Sequence, residues 1–528
     1  MGSEPSKQQS ETEDSAPKIV DENADPEEQQ HLLDVSRSSK ASDASKTSES
    51  SAISAKVMAE NQWMLNHWDP VNLAIPLTYF SVGFTYYFLS TPVTYYMIDT
   101  LDSSGAEQEV ITTLQVLPWS FKLFFGFISD TVPIAGKRRK PYLILGWLVF
   151  GASNLALALL GEPNFQWLCV FILTQTCAYL FSDVMADTLV VERAKMETVA
   201  AKGTLQANAY MMRAFGYLVG AIAGATLYNE DEWGWGLTIA EIFALNGIVP
   251  LIIVLPFTFQ LYEQPMTTEV PSYKDELHNL WDLVQLRSVW RPLIFVFIYN
   301  ALFVSNASWN SFLVDGLGFS EFFIGCITIA ICVVTWLGLW IYKRFLFNRS
   351  WRTVYLLSGV VIAFFSFAQI ALELRWNVDW GLPNAPFAMG DQASQYFVIA
   401  IQFLPVCRMF LSLCPNGSEG MSYAMLTTYS NCASTLADDI STLLTYIWNV
   451  GNETISEGDY SGMWKLTLLV TALQFAPLVL VGLLPANAKE QRKLQQSNAR
   501  AWWGGFWFVS SLVITWVWTI VESVIMML

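Results

Sequence analysis

Apolar residues along this chain gather into blocks separated by short polar stretches. A helix of about 20 apolar residues crosses a bilayer. Windows of that length fall at 73–98, 110–130, 141–161, 165–191, 203–228 and 236–260. A polar stretch at 261–290 interrupts the series. Six more windows follow at 292–315, 320–344, 353–373, 393–414, 420–448 and 462–485, and a last apolar run covers 502–527. The pattern predicts an all-α polytopic membrane protein with about twelve transmembrane helices and one extra C-terminal helix. Two six-helix bundles would occupy 69–260 and 291–485, joined by a cytosolic loop at 261–290. A basic cytosolic linker at 486–500 would lead to the extra apolar helix at 501–528.

Residues 1–68 break the pattern. They are rich in Ser, Glu, Asp, Gln and Lys, with fourteen acidic and six basic residues up to Asp69. Such a segment buries too little apolar area to offset its ordering entropy, so it reads as a disordered acidic cytosolic tail. It has neither the basic-then-apolar order of a signal peptide nor the Arg-rich, acid-poor composition of a transit peptide. Within EEQQHLLD, Glu28 with Leu32 and Leu33 resembles an acidic dileucine sorting signal read by adaptor proteins. Chance in a Glu-rich tail is the competing reading.

Loop charges set the orientation. With the N-terminus in the cytosol, eighteen Lys and Arg fall in inner loops, including Lys137–Lys140, Arg193, Lys343 and Arg500. The outer loops hold essentially one, Arg375, and an acidic run at Glu230, Asp231 and Glu232. This is a positive-inside distribution. Of the glycosylation sequons, Asn452 falls outside, Asn348 and Asn416 inside, and Asn306 within a span, so Asn452 alone is open to glycosylation. The run at 502–527 is Trp-rich and lacks a basic polar face, which favours crossing over lying in the interface.

Composition agrees. The chain is 53% hydrophobic and 14% charged, with mean hydropathy +0.36, whereas soluble proteins carry roughly 25% charged residues. A string of soluble domains is excluded. The net charge of −17 argues against nucleic acid as a partner. The seven cysteines show neither a disulfide framework nor metal-ligand spacing.

The stretch PWSFKLFFGFISDTVPIAGKRRKPYLILGW, Pro118 to Trp147, carries the most chemistry. Asp130 ends one span, and Arg138 and Arg139 follow in a short basic loop. A carboxylate at a helix end can pair with loop guanidiniums and a neighbouring helix end, locking one arrangement of the halves until it breaks. The spacing of Gly126, Asp130, Gly136, Arg138 and Arg139 resembles the loop signature of the major facilitator superfamily. The Pro-Trp, buried Lys, Gly-x-x-Ser-Asp and Arg-Lys-Pro-Tyr elements look like its folate-biopterin transporter family. Two further stretches match: SDVMADTLVVERA at Ser182–Ala194, and the pattern Pro415, Gly417, Glu419, Ala424, Asn431. Leu123 departs from the family, which usually has Pro after the buried Lys. The resemblance implies a secondary active transporter of folate, biopterin or a related small metabolite. It would work by alternating access with protons as the coupling ion, and without cofactor or catalytic site.

Ionisable residues within the membrane are costly and therefore functional candidates. Lys122, Arg213 and Arg408 would attract an anionic substrate, with Trp119 and Asn306 completing the substrate-binding set. Asp438 and Asp439 are candidates for proton coupling, though consecutive positions diverge by about 100° on a helix. Asp183 and Asp187, four apart on one helix face, join Asp130, Arg138 and Arg139 as gating candidates. Internal charge pairing competes with each of these readings. His31, His67 and His278 all lie outside the spans, so proton coupling would require a buried carboxylate. Gly216, Gly220 and Gly224 predict close helix packing. Asn300, Ser305, Asn306, Ser308 and Asn310 would line a wet cavity, and Trp119, Trp309 and Tyr299 would stack on a planar ring. The membrane would be the plasma membrane or a vacuolar or lysosomal type. A transporter of another small metabolite, or a receptor or scaffold without transport, remain the other readings.

Overall fold

The computed structural model describes residues 62–528 apart from 104, 199–200, 229–233, 264–271, 320, 416 and 528. Glu28, Leu32, Leu33 and the acidic run at Glu230, Asp231 and Glu232 thus lie outside the described residues. The longer helices begin with α1 (Ala74–Phe88), α2 (Gly105–Val116), α3 (Lys122–Thr131), α4 (Lys140–Leu160) and α5 (Phe165–Ala194). Next come α6 (Thr204–Leu227), α7 (Ile239–Gln260), α8 (Tyr273–Gln285), α9 (Arg287–Ala301), α10 (Glu321–Ile341) and α11 (Trp351–Glu373). The last are α12 (Asn384–Leu413), α13 (Glu419–Leu444), α14 (Met463–Phe475), α15 (Ala488–Gln496) and α16 (Trp502–Met527). Among the described residues there is no β-strand.

Among the described residues, nine helical segments are long and apolar enough to cross a membrane: Val110–Thr131, α4, α5, α7, Phe323–Leu346, α11, α12, Met463–Leu483 and Trp502–Val521. The chain is therefore an integral, multi-pass membrane protein. The other four windows correspond to α1, α6, α9 and α13. Helices α6 and α13 are long, 24 and 26 residues, but carry polar side chains, Arg213 in one and Asp438 and Asp439 in the other. Helices α1 and α9 have 15 residues each before the winding is interrupted. These four lie inside the fold: α1 packs on α6, and α13 on α3, α5 and α9. Hydropathy follows exposure to lipid, so helices screened by protein are free to be polar.

First-half helices pack mainly on one another, α4 on α5 and α7, and second-half helices likewise, α12 on α10 and α11. The two sets meet along α3–α13 and α6–α10. Between α1 and α6 the backbones nearly touch. Cβ atoms at Gly216, Gly220 and Gly224 would collide with the carbonyl oxygens of Phe80, Phe84 and Phe88. Helix α16 starts where Arg287 N donates to Ala499 O (2.7 Å) and Ala501 N to Gln285 O (2.9 Å). It then runs along α9, α13 and α2.

Candidate functional site

The site begins with a break in a span. After α2 the chain tightens through Leu117–Phe121, where Pro118 brings no backbone N–H, and α3 restarts at Lys122. The break leaves backbone groups for outside partners. Asn431 Nδ2 donates to Trp119 O (3.0 Å), Trp516 Nε1 to Ser120 O (2.7 Å), and Leu123 N to Thr428 Oγ1 (2.9 Å). Leu123 thus uses an N–H that the family's usual Pro would lack.

Restarting there aims Lys122 into the protein. Its Nζ lies 2.8 Å from Asp183 Oδ2 and 3.0 Å from Asp187 Oδ2. Arg213 pairs with Asp183 Oδ1. The Tyr79 hydroxyl donates to Asp187 Oδ1, and the Tyr210 hydroxyl donates to the same oxygen at 3.4 Å. All four charged side chains are buried, none more than 6% exposed. The guanidinium of Arg213 stands 4.6 Å from the Tyr79 ring and 4.8 Å from that of Tyr210, and Lys122 Nζ stands 5.1 Å from Trp119. Two cations face two carboxylates, so the cluster is neutral. Buried charges persist only when paired in this way.

Beside the cluster lies a cavity of about 360 Å³, with Trp119 in its wall. Tyr86, Tyr87, Tyr217, Tyr396 and Asp438 line it further. Asp438 is exposed there, whereas Asp439 is buried, as the angle between consecutive helical positions requires.

At the other end of α3, charged contacts cross to the start of α13. Asp130 Oδ1 pairs with Arg139 Nη2 (2.6 Å), while Asp130 Oδ2 accepts from Met421 N (2.7 Å) at the start of α13. A carboxylate at a helix N-terminus satisfies an orphan N–H and the helix dipole. Arg139 also reaches Glu192 (3.1 Å) and Ser129 (2.8 Å). Arg138 Nη1 donates to Gly417 O (3.1 Å), and Lys195 pairs with Glu419 (2.5 Å). A Cβ at Gly126 would stand 2.7 Å from the Gly420 carbonyl oxygen, so glycine sets how closely α3 and α13 approach.

The BT1 family matches residues 82–500. The chain belongs to that family. It is the folate-biopterin transporter family of the major facilitator superfamily, as the stretch from Pro118 to Trp147 implies. Named relatives are similar along most of the chain. A folate-biopterin transporter of Synechocystis sp. is 29% identical over 396 residues, 75% of this chain and 78% of that protein. Folate transporter 1 of Plasmodium falciparum is 23% identical over 407 residues, 77% of this chain and 78% of its own. Folate transporter 2 of the same organism is 25% identical over 437 residues, 82% of this chain and 91% of its own. Transport, not catalysis, is the activity that membership assigns.

In this BT1-family chain the three family-like stretches are one structural unit. The first and third meet through Gly126 and Gly420, Asp130 and Met421, and Asn431 and Trp119. The second supplies Asp183 and Asp187 to Lys122, and Glu192 to Arg139.

Several expected site residues lie elsewhere. Arg408 does not reach the cavity; its guanidinium holds Lys202 O (3.1 Å) and Phe347 O and stacks on the Phe347 ring. Asn306 is buried in the second half, donating to Thr467 Oγ1 (3.0 Å), which donates to Glu373 Oε1 (2.6 Å). Of the polar residues expected to line a wet cavity, Ser308 does so in a separate pocket with Thr445 and Asn449, whereas Asn300 and Ser305 bridge helices, Asn300 to Ser430 (2.6 Å) and Ser441 to Ser305 O (2.6 Å). A hydrogen bond between helices satisfies them as well as water would. Asp183 and Asp187 sit with Lys122 and Arg213, not with Asp130, Arg138 and Arg139. The side chain of Asn452 is outside the described residues.

Sequence reasoning missed Tyr79, Tyr210 and Glu263. The Glu263 carboxylate accepts from the N–H groups of Arg138 (2.7 Å), Arg139 (2.9 Å) and Lys140 (2.9 Å), capping α4 from 123 residues away. No local signal marks a cap so distant in sequence.

Proposed function

We propose that this protein is a secondary active transporter carrying a folate-like substrate by alternating access, with protons as the coupling ion. One observation supports this most. The Asp130 latch closes one face between the halves, while an aromatic cavity holds space towards the other, with the neutral charge cluster between. The halves 69–260 and 291–485 would rock about that cluster. Opening the closed face would break Asp130–Met421, Arg138–Gly417 and Lys195–Glu419. The basic loops put that face in the cytosol. Protonation of Asp183 or Asp187 would loosen Lys122 or Arg213, which ties a proton to the state of the cavity wall at Trp119. The named relatives supply the substrate class.

The test is uptake of labelled folate, biopterin and a metabolite panel in a transport-deficient host, with and without a pH gradient. Pterin or folate uptake that collapses with the gradient is expected. Absence of any pterin or folate uptake sinks the substrate, and uptake indifferent to the gradient sinks the coupling. Lys122→Ala should abolish uptake while surface-expressed protein persists.

A further inference from the structure

We infer that the cavity takes uncharged or cationic flat amino-heteroaromatic rings, recognised by Asp438, and discriminates against cargo with a carboxylate tail. This rests on the transport reading above and concerns which member of that substrate class fits.

The charge on the wall carries the argument. Among the described residues lining the cavity, Asp438 is acidic and none is Lys, Arg or His. Two cations that are not among the lining residues stand close to the Trp119 ring, Arg213 at 5.9 Å and Lys122 at 5.1 Å. Both are already matched by Asp183 and Asp187. An anionic tail in this cavity would find no cation on the wall and would meet a like charge at Asp438. In a site partly screened from water that repulsion is strong.

Shape and chemistry agree with charge. Tyr86, Tyr87, Trp119, Tyr217 and Tyr396 offer ring faces and edges to a planar guest, and aromatic faces favour a cationic ring over an anionic one. A ring with an exocyclic amine beside a ring N–H presents two parallel donors, which match the two oxygens of one carboxylate. A volume of about 360 Å³ lies at the small end of ligand pockets. It suits a bicyclic ring with a short side chain better than a ring extended by an aminobenzoyl-glutamate.

The full chain, purified in detergent, would be titrated with biopterin, folate and the diaminopyrimidine pyrimethamine, with ligand-induced thermal shifts giving Kd. Equilibrium binding keeps any part Asp438 plays in proton coupling out of the readout. Biopterin and pyrimethamine should bind at least about tenfold tighter than folate. Asp438→Asn should weaken both by about tenfold and narrow the gap to folate, while Asp438→Glu, which keeps the charge, should preserve the preference and guards against misfolding of the Asn variant. Folate binding as tightly as biopterin, or an unchanged preference in Asp438→Asn, would overturn the inference and leave the transport reading standing. Failure of all three ligands to bind, together with no pterin or folate uptake in cells, would instead overturn the reading on which it rests.

Discussion

At the scale of residues, the interior is organised by charge neutrality. Lys122, Arg213, Asp183 and Asp187 are each tolerable because of the others. Removing one partner strands a buried charge, at a cost of about 3–5 kcal/mol. Lys122→Met should therefore lower the thermal stability of the purified protein. Adding Asp187→Asn should restore much of it without restoring uptake, and a double variant as unstable as the single one would count against coupling between them. Glu276, on α8 outside the spans, shows the cost of a buried carboxylate with one hydrogen bond, from Ser418 (2.9 Å). Burial pushes its carboxyl above the ordinary value of 4.5, a shift that Ser418 only partly offsets. A raised folded value favours the protonated form, so that contribution is present below pH 4.5 and lost as pH rises through the raised value. Glu276→Gln should melt higher than wild type near neutral pH, with the gap closing towards pH 4.5. A melting curve taken at both pH values checks it.

At the scale of elements, close approach and interruption matter most. Along α1–α6, glycine is required because the opposing atoms are backbone carbonyls, which cannot swing aside. Gly220→Leu should abolish folded protein at the membrane, whereas Gly325→Ala, with open space around its position, should leave expression unchanged. Size-exclusion profiles of the two variants distinguish them. Helix α16 works differently. It ties α13 through Tyr429 and Ser511 (2.9 Å) and the broken span through Trp516 and Ser120 (2.7 Å). Trp516 also stacks on Phe121 and Phe124, 5.5 Å away in each case. Trp516→Ala should destabilise by about 1–3 kcal/mol, since it leaves the Ser120 carbonyl without that donor. Thermal unfolding against Trp518→Ala, an exposed position, is the measurement.

At the scale of the whole molecule, the latch and the cavity occupy opposite ends of one seam. Weakening the first should alter access to the second. In Asp130→Asn the charge that both holds Arg139 and caps α13 is lost. A Ser434→Cys reporter in the cavity wall should then react more slowly with a membrane-impermeant thiol reagent added from outside. Unaltered labelling would detach the latch from cavity access.

Legibility followed the range of the interactions. Apolar run length marks spans because lipid contact is a property of one helix at a time, and it found α1, α6, α9 and α13 as well, although these are shorter or more polar and are enclosed by other helices. Lys122 and Arg213 stood out because a charge in an apolar run is a local anomaly, but their partners were not readable. Asp183 and Asp187 looked as much like a gate as like counter-ions. Arg408 and Asn306 resembled site residues for the same reason that Lys122 did, being polar in a span. Only packing revealed that one holds loop carbonyls and the other a buried Thr467.

What the sequence determined alone is the membrane class, the family and the charges that interrupt apolar runs, such as Lys122 and Arg213, all of which depend on composition and short-range order. The tertiary structure decided which charges cancel, which residues line the cavity, and that Asp438 faces it while Asp439 is buried. Those outcomes depend on helices far apart in sequence meeting within a few ångströms, where ion pairing and backbone contact are strongest.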